Sequence, residues 1–205
     1  MPYQSSSKTR QKKDAKRTRL MQAAIRVFAD KGYQAATIRD IVGASDVAIG
    51  TFYFYFPDKE TLFVHLYEET ADFLLQAIRQ AVRARDSFPD QIRSGLQAYL
   101  NIATFEPAIV QLLLAGTTGA IPSLAAVRAE YRARLTSIWQ APLDDLLDVA
   151  AAPPQDSRLT AEALVGAIDE VVLNLITHPD PVSEAPVVVE ALTTFCLRAV
   201  AFTSA

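Results

Sequence analysis

The chain has 205 residues, half of them hydrophobic and 21% charged, which excludes disorder along its whole length and allows a sizeable core. One cysteine, Cys196, excludes an intrachain disulfide framework and an all-cysteine zinc site. The formal net charge of −3 hides an asymmetry: residues 1–60 hold eleven Lys/Arg against six Asp/Glu, and the rest holds nine against seventeen. A basic head on an acidic body suggests a polyanion bound at one end; the plainer reading is a solvated basic tail.

No apolar stretch follows the opening charges, so no secretory leader is expected. No run of eighteen apolar residues occurs, so no membrane span is expected either. With a lone cysteine, these features point to the cytoplasm. None of the seven glycines forms Gly-x-Gly, which removes the dinucleotide and phosphate-loop fingerprints.

The predicted elements are all helical. Residues 1–13 are polar and basic, and read as a flexible arm. From Asp14 to about Lys31, Met21, Ile25 and Phe28 recur at helical spacing, and Gly32 closes the helix. Thr37 and Asp40 form a capping-box pattern before Ile38, Ile41 and Val42. This second helix is short, interrupted by Gly43 and Ser45-Asp46. A third short helix runs from about Ala48 to Phe54, and Pro57 ends it. Asp58 caps a long fourth helix. Further helices are expected at roughly 88–105, 107–116, 122–149 with a bend at Pro142, 158–178 and 186–203. No segment alternates with period two, so no strand is expected.

Residues 37–56, TIRDIVGASDVAIGTFYFYF, carry the most information. Two short helices joined by a tight turn, behind a longer helix, are the layout of a helix-turn-helix. On the third helix Val47, Phe52 and Phe56 pack inward. Ala48, Ile49, Thr51, Tyr53, Phe54 and Tyr55 face out. Five aromatics in five residues cannot all be core on so short a helix, and exposed aromatics mark an interface. Gly50 removes a side chain from the outer face, either for close approach of DNA or for a crossing helix. Lys59, in the first turn of the next helix, sits at the wrong end for the helix dipole and fits a nearby phosphate.

The run GTFYFYFPDKETLF (50–63) closely resembles the signature of the TetR family of bacterial transcriptional regulators. AAIRVFADKGYQAATIRDIV (23–42) is similar to that family's first two helices. The resemblance covers about residues 14–74. It implies a helix-turn-helix domain over 14–57 and a helical effector-binding and dimerisation domain over 58–205. By position it implies phosphate contacts from Thr37 and Lys59. Tyr53 would contact the DNA backbone with Phe54 and Tyr55 beside it, and Ala48, Ile49, Gly50 and Thr51 would face base edges. Lys12, Lys13, Lys16 and Arg17 would extend the contacts as an arm.

Three positions depart from the family pattern. Asp46 stands at the turn glycine, which Asp tolerates. Ala48 replaces the capping serine, with Asp46 or Ser45 as substitutes. Ile49 replaces a frequent lysine and suits a thymine methyl.

The last two helices carry wide apolar faces. Leu164, Ile168, Val172 and Leu175 on one, with Leu192, Phe195 and Ala199 on the other, suggest a two-fold homodimer interface; the alternative is a pair buried inside one subunit. A two-fold protein implies a palindromic operator in double-stranded DNA. Phe63, Tyr67, Tyr99, Phe105, Leu113, Tyr131, Trp139 and Asn174 are candidates to line a pocket for a small, largely apolar effector, which the family resemblance implies. Repression is the family's common mode; activation, or a helical protein-interaction adaptor using the aromatic surface, are the alternatives. No metal, cofactor or catalytic set is expected. Asp169-Glu170 reads as solvated or dipole-related rather than as an acid/base couple, and Cys196 as a small hydrophobe.

Overall fold

The computed structural model describes residues 7–114 and 121–202, with side chains from residue 15 onward. Among them the elements are all helices: α1 Ser7–Ala35, α2 Ile38–Ser45, α3 Ile49–Tyr55, α4 Lys59–Arg83, α5 Phe88–Phe105, α6 Pro107–Leu114, α7 Leu124–Asp148, α8 Ser157–Leu175 and α9 Pro181–Ala199. No helix of the described residues is long and apolar enough to cross a membrane.

Local chemistry sets the boundaries. Gly32 (φ 72°, ψ 162°) breaks α1 by adopting a conformation that a Cβ disfavours. Thr37 and Asp40 make the expected capping box at α2, and Asp46 ends that helix in the left-handed region at φ 53°. Asp58, Ser87, Asp156 and Asp180 each accept a backbone N–H in the first turn of α4, α5, α8 and α9. The α9 helix begins five residues earlier than its apolar spacing predicts. Asp180 caps it and Pro181 occupies the first helical position, where a missing N–H costs nothing. Pro142 lies inside α7, as expected.

The backbone of residues 7–13, expected as part of a flexible arm, is helical and continuous with α1. Residues 1–6 and the side chains through Asp14 lie outside the description, and with them the expected roles of Lys12 and Lys13.

The α1 helix lies against α2, α3, α4 and α6; α5 packs on α4 and α9; α7 packs on α4 and α8. Buried residues form one continuous core, from Leu20, Phe28 and Phe52 through Leu74, Tyr99 and Trp139 to Val189 and Cys196. Trp139 presses on α5 at Gly95, where an added Cβ would lie 2.8 Å from both the indole and Val82. Gly95→Ala therefore lowers stability by about 1–3 kcal/mol, because overpacking outweighs the better helix propensity of alanine. Thermal denaturation of the variant measures this.

Candidate nucleic-acid interface

The turn between α2 and α3 is held by its own backbone. The Asp46 N–H donates to the Val42 carbonyl, and Phe52 and Phe56 anchor α3 in the core. That orientation leaves Ile49, Tyr53 and Phe54 exposed by 47, 54 and 65%. Ala48 and Gly50 are exposed beside them, and Thr51 and Tyr55 are half-buried. A Cβ at Gly50 would meet nothing within 4 Å, so no crossing helix explains that glycine. Ala48 caps α3 without a side-chain hydrogen bond. Ser45 does not replace it, since its hydroxyl donates back to the Val42 carbonyl.

At two expected phosphate contacts, Lys59 and Thr37, the side chains also have partners within the chain. Lys59 Nζ donates to the carbonyls of Tyr33 (2.7 Å) and Ala36 (2.8 Å) and lies 4.3 Å from the Tyr33 ring centroid. Gly32 breaks α1 just before these carbonyls, and the ammonium satisfies them. Burial there lowers the Lys59 pKa below its ordinary value. Lys59 positions α4 against the end of α1. Lys59→Met keeps the apolar stem but removes these bonds, and lowers stability by about 1–3 kcal/mol. The salt slope of DNA binding stays unchanged, whereas loss of a phosphate contact reduces it by about one.

At Thr37 both the amide and the hydroxyl donate to Asp40 Oδ2, at 2.9 and 2.7 Å. A phosphate there must displace a carboxylate. Lys31 holds that carboxylate at 2.8 Å, and these bonds lower the Asp40 pKa to about 2. Arg17, expected in the arm, is instead tied to Glu69 of α4 and lies over the Phe56 ring. Lys16 is exposed on α1. Arg39 was not singled out by the sequence pattern; it is exposed in the first turn of α2 and makes no ion pair among the described residues. Its signal was a lone cation one residue before the capping acid.

In the helical body the pocket candidates separate. Phe63 lines an apolar cavity of about 370 Å³ with Phe28, Tyr33, Leu112, Leu173 and Ile176. Leu113 and Tyr131 line a second, polar cavity of about 210 Å³ with Arg128, Arg132, Asp169 and Glu170. Tyr67 donates to the Leu113 carbonyl at 3.3 Å and meets the Tyr131 ring edge-on. Tyr99 and Trp139 are core residues. Phe105 and Asn174 are exposed and line neither cavity, because Phe105 ends α5 at the Pro107 corner and Asn174 lies on the outer face of α8.

Asp169 is buried, not solvated. Tyr99 donates to its Oδ1 at 2.9 Å and Arg132 to its Oδ2 at 2.7 Å. Burial raises its pKa above the ordinary carboxylate value, against the opposing effect of those two donors. Glu170 is exposed.

The expected dimer residues also divide. Leu164, Ile168, Val172, Leu175 and Leu192 are buried within one subunit, so they form its core and cannot also face a second. Phe195 and Ala199 are exposed. The outward faces carry other residues: Leu159, Ala163 and Gly166 on α8, and Val187 and Ala191 on α9. Cys196 is buried with its thiol pushed up to about 11, the state of a small hydrophobe rather than a nucleophile.

Residues 20–66, which include the exposed α3 and its supporting core, match the model of the bacterial regulatory proteins of the tetR family. That segment is a TetR-type helix-turn-helix head. The chain is 26% identical over 114 residues to the transcriptional activator FasR of Mycolicibacterium smegmatis, covering 56% of this chain and 52% of FasR; it thus matches about half that relative's length. It is 22% identical over 176 residues to the fatty acid metabolism regulator protein of Bacillus subtilis, covering 81% of this chain and 86% of the relative. Its fold is that of FadR from Bacillus subtilis in complex with stearoyl-CoA, with a TM-score of 0.74 at 19% identity, covering 86% and 97% of the two chains. These relatives are regulators, not enzymes.

Proposed function

We propose that this TetR-family regulator binds a palindromic operator as a homodimer, represses transcription in the cytoplasm, and is released by a small-molecule effector. The observation that carries this is the exposed face of α3. Ile49, Tyr53 and Phe54 project from a helix whose opposite side is fixed by Phe52 and Phe56. Such a helix presents a preformed surface to the major groove, with the Tyr53 hydroxyl available to a phosphate oxygen and Ile49 to a thymine methyl. Gly50 and Ala48 let the DNA come close. The head comprises residues 14–57 and the body 58–205.

The outward faces of α8 and α9 support the dimer. Ala163, Gly166 and Ala191 are small and let helices approach, while Val187 and Phe195 supply apolar area. A self-complementary pair of this kind closes a two-fold interface and sets the spacing of the two α3 helices. An effector that prefers a different spacing shifts the population away from the DNA-bound form. The stearoyl-CoA held by the similarly folded FadR of Bacillus subtilis supports a ligand site in the body. Activation is the second reading, favoured by the likeness to FasR, a transcriptional activator.

Sedimentation velocity and DNase footprinting test the dimer and its operator together. The expected result is a dimer that protects two symmetric half-sites. Ala191→Arg should give a folded monomer that protects neither. One-sided protection by a monomeric wild-type protein would contradict the proposal.

A further inference from the structure

The two cavities share a wall. Leu173 of α8 borders both, and α6 turns successive residues to the two sides, Leu112 to the apolar chamber and Leu113 to the polar one. The apolar chamber lies where the head meets the body, with Phe28 and Tyr33 of α1 facing Leu112 and Ile176. The polar chamber lies among α6, α7 and α8, with the exposed Gly166 and Glu170 at its rim. Arg128, Tyr131 and Arg132, three and four residues apart, share one face of α7 there.

The polar chamber has unmet hydrogen-bonding capacity. The Tyr131 side chain is over nine-tenths buried, and its hydroxyl, though beside Tyr99, makes no well-formed hydrogen bond. An unsatisfied buried hydroxyl is costly, so such a group calls for a partner. Arg132 is occupied by Asp169. Arg128 makes no ion pair among the described residues. What is left over is thus one O–H donor and one guanidinium. Asp169 is already neutralised by Arg132, and Glu170 lies at the edge, so the chamber suits a single negative charge rather than a dianion.

We propose that the effector of this regulator is a carboxylate amphiphile, its acid group held by Tyr131 and Arg128 in the polar chamber and its hydrocarbon tail lying past Leu173 in the apolar chamber. This rests on the effector-release reading above and adds the chemistry of the ligand. The expected effector, largely apolar in the sequence reading, gains an acidic head. The chambers together fall within the roughly 300–1,000 Å³ of small-molecule sites. The tail also supplies a direct mechanical link. It lies between α1 of the head and α6 and α8 of the body, beside the Tyr33 carbonyl that Lys59 holds. Occupancy there favours the head orientation that accommodates the tail.

Isothermal titration of the full chain with decanoate, without DNA, tests the site. Decanoate should bind at micromolar to low millimolar concentration, and both decanol and butyrate about ten-fold or more weaker, since one lacks the charge and the other the tail. Tyr131→Phe and Arg128→Gln should each weaken decanoate about ten-fold or more. Circular dichroism should show both variants folded, because neither group makes a well-formed hydrogen bond or ion pair among the described residues. Absence of decanoate binding, or equal binding by both folded variants, would overturn the proposal. Operator release is read separately by anisotropy. Decanoate that binds as described but leaves the DNA complex intact would overturn the effector-release reading while leaving the site standing.

Discussion

Ile49→Glu lowers affinity for operator DNA by about 100-fold or more, near 2.7 kcal/mol, while the protein stays folded. The side chain is half exposed on α3 and makes no contribution to the core that glutamate would remove. A carboxylate there faces the acceptor-rich edges and phosphates of the groove, so charge repulsion adds to the lost apolar contact. Gly50→Ala is the companion experiment. It has open space around its Cβ, so it gains about 1 kcal/mol in helix propensity and stabilises the free protein. Bound DNA should lose affinity for it, because the added methyl fills the gap through which the groove approaches. Urea denaturation and fluorescence anisotropy separate the two effects, and only a surface held against DNA gives opposite signs.

Asp169→Ala destabilises the protein by about 2–3 kcal/mol. The loss comes chiefly from the Tyr99 hydroxyl, which is wholly buried and loses its carboxylate acceptor. Arg132 is more than a third exposed and recovers much of its hydration, so its share is small. Asp169→Asn retains an acceptor for Tyr99 and should cost less than half as much. In a Tyr99→Phe background Asp169→Ala should cost less than in the wild type, and the double-mutant cycle by urea denaturation measures that coupling.

The pH dependence has opposite signs at two acids. Burial raises the Asp169 pKa above its ordinary 3.8, so its contribution to stability is complete below that value and is lost as pH rises through the folded value. Asp40, held near 2 by Lys31 and Thr37, contributes above 3.8 and loses that contribution as pH falls towards 2. Asp169→Asn should remove the first slope and leave the second.

The helices were legible because their signals are local. Thr37 with Asp40, Asp58 with Thr61 and the left-handed Asp46 act within four residues, and each stands where the pattern put it. The inward Phe52 and Phe56 and the outward Tyr53 and Phe54 were legible for the same reason: a short helix has only one side on which to bury aromatics. What failed depended on contacts far apart in sequence. The spacing around Lys59 gave no sign of the bonds it makes to the Tyr33 and Ala36 carbonyls, which Gly32 leaves beside it. Asp169 resembles a solvated acid until Tyr99, seventy residues earlier, arrives against it. The apolar stripe of α8 was correctly seen as buried, but periodicity does not say whose surface buries it. Leu164, Ile168 and Val172 spend that face inside the subunit, leaving the smaller Ala163 and Gly166 outside.

The central claim is that α3 reads a specific DNA site. Fluorescence anisotropy against duplex flanking the protein's own gene, at about 0.15 M salt with scrambled competitor, tests it most directly. The expected result is binding by the wild type that survives the competitor and falls steeply with salt, and its loss in Ile49→Glu. Equal affinity of Ile49→Glu and wild type for the flanking duplex, or binding by neither even at low salt, would contradict it and return the exposed aromatics of α3 to a protein partner.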